Sequence, residues 1–142
     1  MSEHSRVIPI RSDLDIVAAR QAGREMSREL GFGIVDQTRI VTAISELARN
    51  VFNYAGEGTL TLNMIEASQP FSERRERKQG IEIVCEDHGP GIPDVERVLK
   101  GGYSTSGGLG RGIAGCKSLM NEFTLETEVG KGTRVVARKW KP

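Results

Sequence analysis

Polar side chains at helical spacing near the middle of the sequence have the types that carry acid–base and metal chemistry. Glu46, Asn50 and Asn53 stand at positions i, i+4 and i+7, so within a helix they share one face. A glutamate there can accept a proton from an attacking hydroxyl group, and an asparagine oxygen is a hard ligand suited to Mg²⁺. The alternative is that the three residues form a solvated helix face without chemistry.

A second group of candidate residues follows a β-rich run. The sequence EDHGPGIP begins at Glu86, and Asp87 stands where the predicted strand ends. A carboxylate at that point can accept a hydrogen bond from an exocyclic amino group such as that of adenine. Gly89 and Gly91 would allow the backbone to lie against a flat ring. The alternative is an acidic turn that simply closes a strand.

Glycine is concentrated in a third segment, since seven of the 17 glycines fall between Gly101 and Gly115. The part of this segment before Arg111 leads into a predicted helix, and amide groups at a helix N-terminus favour anions such as a phosphate chain. A flexible linker is the alternative. The sequence GRGIAG, which ends at Gly115, also matches the dinucleotide pattern GxGxxG, but no strand precedes it and only 27 residues follow it.

Two further patterns limit the nucleotide-binding classes. Gly130-Lys131-Gly132-Thr133 predicts a hairpin turn, after which Thr133 offers a second polar group near a base. The P-loop pattern is absent because glycine follows Gly130-Lys131, and the H-R-D signature of eukaryotic-type kinases is absent as well.

The elements that must position these residues follow from periodicity and from glycine and proline. The clearest is an amphipathic helix from about 35–38 to Tyr54, with a core arc of Ile40, Val41, Ile44, Leu47, Ala48, Val51 and Ala55. A preceding helix is predicted from an N-cap at Ser12 to about Leu30, with an inner face of Leu14, Val17, Ala18, Ala22 and Met26. We expect strands over 6–10, 59–66, 81–85, 123–129 and 133–140, helices over 93–99 and 111–121, a charged surface loop over 68–79, and irregular segments over 88–94 and 101–110.

Strands and helices segregate along the chain instead of alternating, and no linker interrupts them. This arrangement favours an α+β fold: a two-layer sandwich in which helices cover one face of a mixed, mostly antiparallel sheet. We expect residues 1–142 to form a single domain, since that length is typical of one domain.

Composition excludes several functional classes. The chain has 20 basic and 19 acidic residues, a net charge of +1, so we expect neither nucleic acid nor a membrane surface as a partner. Cys85 and Cys116 lack metal-site spacing and are predicted to be reduced and partly buried. The absence of a long apolar run predicts a cytoplasmic protein.

The four motifs, taken in order, resemble those of the GHKL superfamily of gyrase, Hsp90-type chaperones, histidine kinases and MutL, whose sandwich is the Bergerat fold. Glu46–Asn50 is similar to its N box, Asp87-x-Gly89-x-Gly91 to its first G box, Gly108–Gly112 to its second, and Gly132-Thr133 to its last. The resemblance implies an ATP site in which Asn50 ligates Mg²⁺, Glu46 is the catalytic base and Asp87 binds adenine with support from Thr133. It also implies a loop that closes over the phosphates, formed by Gly107, Gly108, Leu109, Gly110, Arg111 and Gly112.

The resemblance narrows to one family. The segments DIVAARQ, ELGFG, TAISELARN, EDHGPGIPD, GGYSTSGGLG and GKGT are similar to those of the RsbT family, the switch serine kinases of the bacterial stressosome. This similarity runs from about residue 6 to Trp140. It implies ATP-dependent phosphorylation of serine on STAS-domain antagonist or scaffold proteins, and a serine phosphatase as a second partner. The motifs do not fix a basic group for the γ-phosphate; the candidates are Arg49, Arg111 and Lys117.

Two other functions stay open at this point. One is a nucleotide-gated binding module without catalysis, such as an anti-sigma factor, although the presence of Glu46 favours catalysis. The other is the catalytic half of a histidine kinase. Against it, His4 and His88 are the only histidines, and both lie in predicted loops.

Overall fold

Five strands and three helices make up the described part of the chain. The structure is a computed structural model, and it describes residues 4–68, 77–92 and 109–142. The elements are β1 (Ser5–Ile10), α1 (Asp13–Glu29), α2 (Ile34–Ala55), β2 (Gly58–Ser68), β3 (Arg77–Asp87), α3 (Leu109–Leu119), β4 (Glu122–Glu128) and β5 (Gly132–Trp140). The strands form one sheet in the order β1-β2-β3-β5-β4, and every pairing between described strands is antiparallel.

The helices cover one face of this sheet, which confirms the predicted α+β sandwich. Buried residues alternate along the strands, as in β5, where Val135 and Ala137 are buried and Arg134 is exposed. All three helices contribute to the same apolar cluster as these strand residues, so they share one side of the sheet.

Helix α2 has the predicted core face. Its apolar residues recur at helical spacing, and the six predicted core residues from Ile40 to Val51 are all buried. The helix ends where predicted, because Gly56 adopts a positive φ of 81°, a conformation that favours glycine. Ala55, predicted on the same arc, is only half-buried at the last turn.

Helix α1 has the predicted ends but a different inner face. The Asp15 carboxylate accepts hydrogen bonds from the backbone N–H groups of Ser12 and Arg11, and the helix closes at Gly31 with a φ of 87°. Leu14 and Val17, predicted to face the core, are exposed. A second, smaller-residue stripe is buried instead: Ile16, Ala19, Ala22, Gly23, Met26 and Ser27.

The physical reason for that difference is close helix packing. A Cβ added at Gly23 would collide with the Ile44 side chain of α2, so small residues are needed where α1 meets α2. Ala18, also predicted on the inner face, is exposed, whereas Ala22 and Met26 are buried as predicted.

Two boundaries differ from the predicted ones. The expected loop over 68–79 is partly strand, because Ser68 pairs with Arg77 and both Lys78 and Gln79 belong to β3. Ladder pairing uses main-chain groups and tolerates charged side chains where the strand is exposed. Helix α3 begins at Leu109, so Gly110 is helical and not in a loop. The predicted helix over 93–99 and loop over 101–108 lie outside the described residues.

The last two strands form the predicted hairpin. Gly130 and Gly132 have φ values of 85° and 133°, which only glycine adopts without strain. Across this turn Thr127 pairs with Thr133, and β5 then runs between β4 and β3.

Both cysteines are free, as predicted, and they are fully buried instead of partly buried. Burial raises the pKa of the Cys116 thiol to about 12, with a further contribution from the charge of Glu46. Burial, followed by the charge of Asp87, also raises the pKa of Cys85 far above its ordinary value. Both thiols therefore stay protonated at neutral and mildly alkaline pH.

This protonation predicts slow thiol alkylation in the folded protein. The thiolate is the reactive form, so iodoacetamide labelling of native protein should stay near background between pH 7 and 9. In urea both thiols should label, at a rate that rises through pH 8–9. Intact mass measures the extent of labelling, and rapid labelling of the native protein at pH 8 would contradict the burial of the two thiols.

Candidate functional site

Glu46 and Asn50 lie on a side of helix α2 that does not pack into the apolar core. Their neighbours Leu47, Ala48 and Val51 are buried in the apolar core, whereas Glu46 and Asn50 are half-buried and Asn53 is exposed. The large apolar residues thus fix the rotation of the helix. As a result, a carboxylate and an amide one turn apart stand outside the buried face of α2.

Both oxygens of the Glu46 carboxylate have defined neighbours. Oε1 lies 3.0 Å from Nη1 of Arg49, which belongs to the same helix. Oε2 lies 3.0 Å from the position that a Cβ would occupy on Gly112 of α3. The effect of Glu46 on the pKa of Cys116, also in α3, agrees with this orientation. The structure therefore brings Glu46 together with Gly112, two predicted site residues 66 positions apart in the sequence.

Asp87 ends β3 directly opposite Thr133 of β5 in the antiparallel ladder. Oδ1 of Asp87 accepts a 2.9 Å hydrogen bond from the backbone N–H of Gly89. This bond orients the carboxylate through Oδ1 and does not involve Oδ2.

The hydroxyl of Thr133 is oriented by Thr127, a residue that the sequence reasoning missed. The two Oγ1 atoms are 2.9 Å apart, and Thr127 Oγ1 also lies 3.1 Å from the carbonyl oxygen of Gly132. A carbonyl only accepts, so the single hydroxyl proton of Thr127 goes to Gly132 and Thr133 donates to Thr127. Oγ1 of Thr133 therefore presents acceptor lone pairs. Equal spacing of the two threonines from Gly130 in the hairpin was the signal that could have found Thr127.

Gly89 and Gly91 lie against other parts of the chain. A Cβ on Gly89 would approach the Ala55 Cβ to 2.6 Å, and one on Gly91, whose φ is 78°, would collide with the carbonyl of Glu128. Packing within the chain is therefore sufficient to require glycine at both positions. It holds the segment after Asp87 against the end of α2.

One helix thereby connects the two halves of the candidate site. Glu46 borders α3, and Ala55 borders Gly89 nine residues later, which corresponds to about 14 Å along the axis of α2. The backbone of Leu109, Gly110 and Arg111 forms the first turn of α3, next to Gly112. The predicted site residues Gly107 and Gly108 lie outside the described residues.

Within 4–68, 77–92 and 109–142, no three His, Cys, Asp or Glu side chains are grouped as a metal site. None of the helices in these ranges is both long and apolar enough to cross a membrane.

Comparison with known proteins identifies the class to which this fold and site belong. Residues 35–142 match the model of the histidine kinase-, DNA gyrase B- and HSP90-like ATPases. The match includes α2 from its second residue onwards, Asp87, α3 and Thr133. The chain belongs to this ATPase family.

The particular group within that family is also defined. The chain is 51% identical over 133 residues, 94% of each chain, to the serine/threonine-protein kinase RsbT of Bacillus subtilis. It is 28% identical over 105 residues to the anti-sigma F factor of two strains of Clostridium kluyveri, covering 72% of this chain and 69% of each relative. The similarity to RsbT, which is nearly full-length, confirms the predicted resemblance.

Proposed function

We propose that this protein is an ATP-dependent serine/threonine-protein kinase that phosphorylates a partner protein and thereby exchanges partners. The observation that carries the proposal is the placement of the Glu46 carboxylate between α2 and α3, on the same helix face as Asn50. The family supplies ATP as the nucleotide, and the similarity to a serine/threonine-protein kinase supports protein phosphorylation.

Asp87 and Thr133 would hold the base end of ATP. Oδ2 of Asp87 is free of the Gly89 bond and can accept from the amino group of adenine. Thr133 presents an acceptor beside it, suited to a bridging water. The glycine segment from Gly107 to Gly112 would cover the phosphates, since it leads into the N-terminus of α3.

Asn50 fits a role as Mg²⁺ ligand. Its half-buried side chain stands one turn from Glu46 on the open side of α2. Mg²⁺ is usually held by one or two protein oxygens together with phosphates and water, so no larger protein cluster is required. Bound there, the ion would neutralise charge on the phosphates.

Glu46 would act as the base in phosphate transfer. The hydroxyl oxygen of the substrate serine bonds to the γ-phosphorus while the bond from that phosphorus to the β–γ bridging oxygen breaks. The hydroxyl proton passes to Glu46, and ADP leaves. Most of the rate enhancement in such reactions comes from positioning and charge neutralisation.

The resemblance to the RsbT family supports the choice of partners. The substrates would be STAS-domain antagonist and scaffold proteins, and the second partner would be a serine phosphatase activated by the released kinase. On the same basis, residues 1–142 form one kinase domain that works in the cytoplasm.

Intact mass and partner capture test this proposal together. After incubation with ATP and Mg²⁺, a STAS-domain partner should gain one phosphate on serine, and its complex with the kinase should weaken. If nucleotide changes partner affinity but no phosphate is ever transferred, the protein is a nucleotide-gated binding module instead.

Gly112 provides a prediction that separates activity from stability. Alanine at 112 would place its Cβ 3.0 Å from Oε2 of Glu46, so the carboxylate must move. We expect Gly112→Ala to reduce kcat about tenfold. Alanine favours the helix more than glycine does, so the stability should be unchanged or raised by up to about 1 kcal/mol.

Gly115, in the same helix, is the matched control. Among the described residues a Cβ there meets nothing within 4 Å, so Gly115→Ala should give a similar change in stability with kcat unchanged. Transfer assays and urea unfolding of both variants provide the comparison. Equal kcat values for the two variants would show that Glu46 does not depend on the space beside Gly112.

A further inference from the structure

Arg49 is a positively charged residue that lies beside the proposed base, Glu46. Its Nη1 lies 3.0 Å from Oε1 of Glu46, and half of its side chain is exposed. Because the pair is i,i+3 and solvent-accessible, it contributes little to the stability of α2. The helix is held instead by its buried apolar face. The main effect of Arg49 is therefore expected on the Glu46 carboxylate and not on the stability of the helix.

The arginine makes the two oxygens of Glu46 unequal. Oε1 is engaged by the guanidinium, whereas Oε2 is directed towards Gly112, where α3 has no side chain. A glutamate without such a partner would be distributed over several rotamers. A proton acceptor must instead lie within hydrogen-bond reach of the hydroxyl, in a fixed orientation.

We propose that Arg49 is a positioning residue for phosphate transfer. By holding Oε1, it leaves Oε2 as the oxygen that accepts the serine proton beside the start of α3. This inference rests on the proposed function, since it requires Glu46 to be the base. It assigns Arg49 to the carboxylate and not to the γ-phosphate, which distinguishes it from the other basic candidates, Arg111 and Lys117.

Helix α2 contains a matched control for the experiment. Arg39 and Asp36 form a second i,i+3 ion pair on the same helix, with 3.1 Å between Nη1 and Oδ1. Arg39 is also about half exposed. It stands seven residues before Glu46, which is about 10 Å along the axis. Arg39→Ala therefore removes a similar surface pair without altering the proposed base.

The expected result is a loss in kcat specific to Arg49. Arg49→Ala should lower kcat about 10-fold to 30-fold and leave KM for ATP within about twofold, because the interaction acts on the chemical step. Arg49→Lys should recover part of the loss, as a point charge replaces the planar fork. Arg39→Ala should remain within about twofold of wild type in both parameters.

A double-mutant cycle with Glu46→Ala shows whether Arg49 acts through Glu46. In single-turnover transfer with excess kinase, adding Arg49→Ala to Glu46→Ala should cause no further loss. An equal loss in both backgrounds would overturn the inference, and so would a raised KM for ATP with unchanged kcat or a silent Arg49→Ala.

The same set of variants separates failure of the inference from failure of the proposed function. If Glu46→Ala alone transfers phosphate at the wild-type rate, Glu46 is not the base and the proposed mechanism fails. If Glu46→Ala is severely impaired while Arg49→Ala is silent, only the role of Arg49 is wrong.

Discussion

Replacing Glu46 with glutamine should reduce phosphate transfer by about 10²–10⁴-fold. Glutamine keeps the size of the side chain and can still accept a hydrogen bond from Arg49 through its carbonyl oxygen. It cannot take up a proton at neutral pH. The variant therefore changes the acid–base chemistry and little else in the contact between α2 and α3.

The same substitution should leave ATP affinity and the stability of the fold nearly unchanged. Because Glu46 lies about 14 Å along α2 from the Gly89 end of the site, ATP affinity should change less than about threefold. The unfolding midpoint in urea should also be retained, since Glu46 is not part of the apolar core. A Glu46→Gln variant that transfers phosphate at near the wild-type rate would remove the proposed base.

Replacing Asp87 with asparagine should weaken ATP binding by about 10²-fold and reduce discrimination against GTP. In the native protein Oδ1 of Asp87 accepts a hydrogen bond from the Gly89 N–H, and we expect Oδ2 to accept one from the amino group of adenine. The asparagine carbonyl can keep the Gly89 bond, which leaves its NH₂ group facing the base. That donor opposes the amino group of adenine but matches the carbonyl oxygen of guanine.

The neighbouring carboxylate of Glu86 provides the control for charge alone. Glu86 is exposed, lies on the other face of β3 and is 3.8 Å from Arg134. Glu86→Gln removes one negative charge next to Asp87, and both nucleotide affinities should stay near wild type. Calorimetric titration of ATP and GTP into both variants measures the four affinities. Unchanged ATP affinity in Asp87→Asn would place adenine elsewhere.

The sequence was most informative where large apolar residues repeat. Ile40, Ile44 and Val51 belong to the single strong apolar stripe on α2. Both the buried face of the helix and the side with Glu46, which lies outside the core, could be predicted from it. In α1 two stripes compete. The one that includes Leu14 is more hydrophobic, but the one that includes Gly23 is buried, because only small residues allow α1 to approach α2. Hydrophobicity alone does not report that steric requirement.

Contacts between distant residues were the part of the site that spacing could not predict. The position of Glu46 on α2 follows from the sequence, but its contact with Gly112 depends on how α3 packs against α2. Asp87 and Thr133 were both candidates, yet their pairing requires β5 to run beside β3. The N-terminal part of β3, from Arg77 onwards, was not predicted for another reason. Backbone pairing with β2 does not require apolar side chains.

The position of β5 in the sheet has a consequence for the synthesis of this protein. β5 follows β4 in the chain but lies between β4 and β3, so it enters the sheet after both of its neighbours have been synthesised. On the ribosome, a chain that has released only the segment up to β4 has an open edge at β3, and Asp87 has no Thr133 opposite it. The base-binding half of the proposed site is incomplete in such a chain. A nascent kinase would therefore be unable to bind nucleotide, and so to act on its partners, until β5 has emerged and inserted.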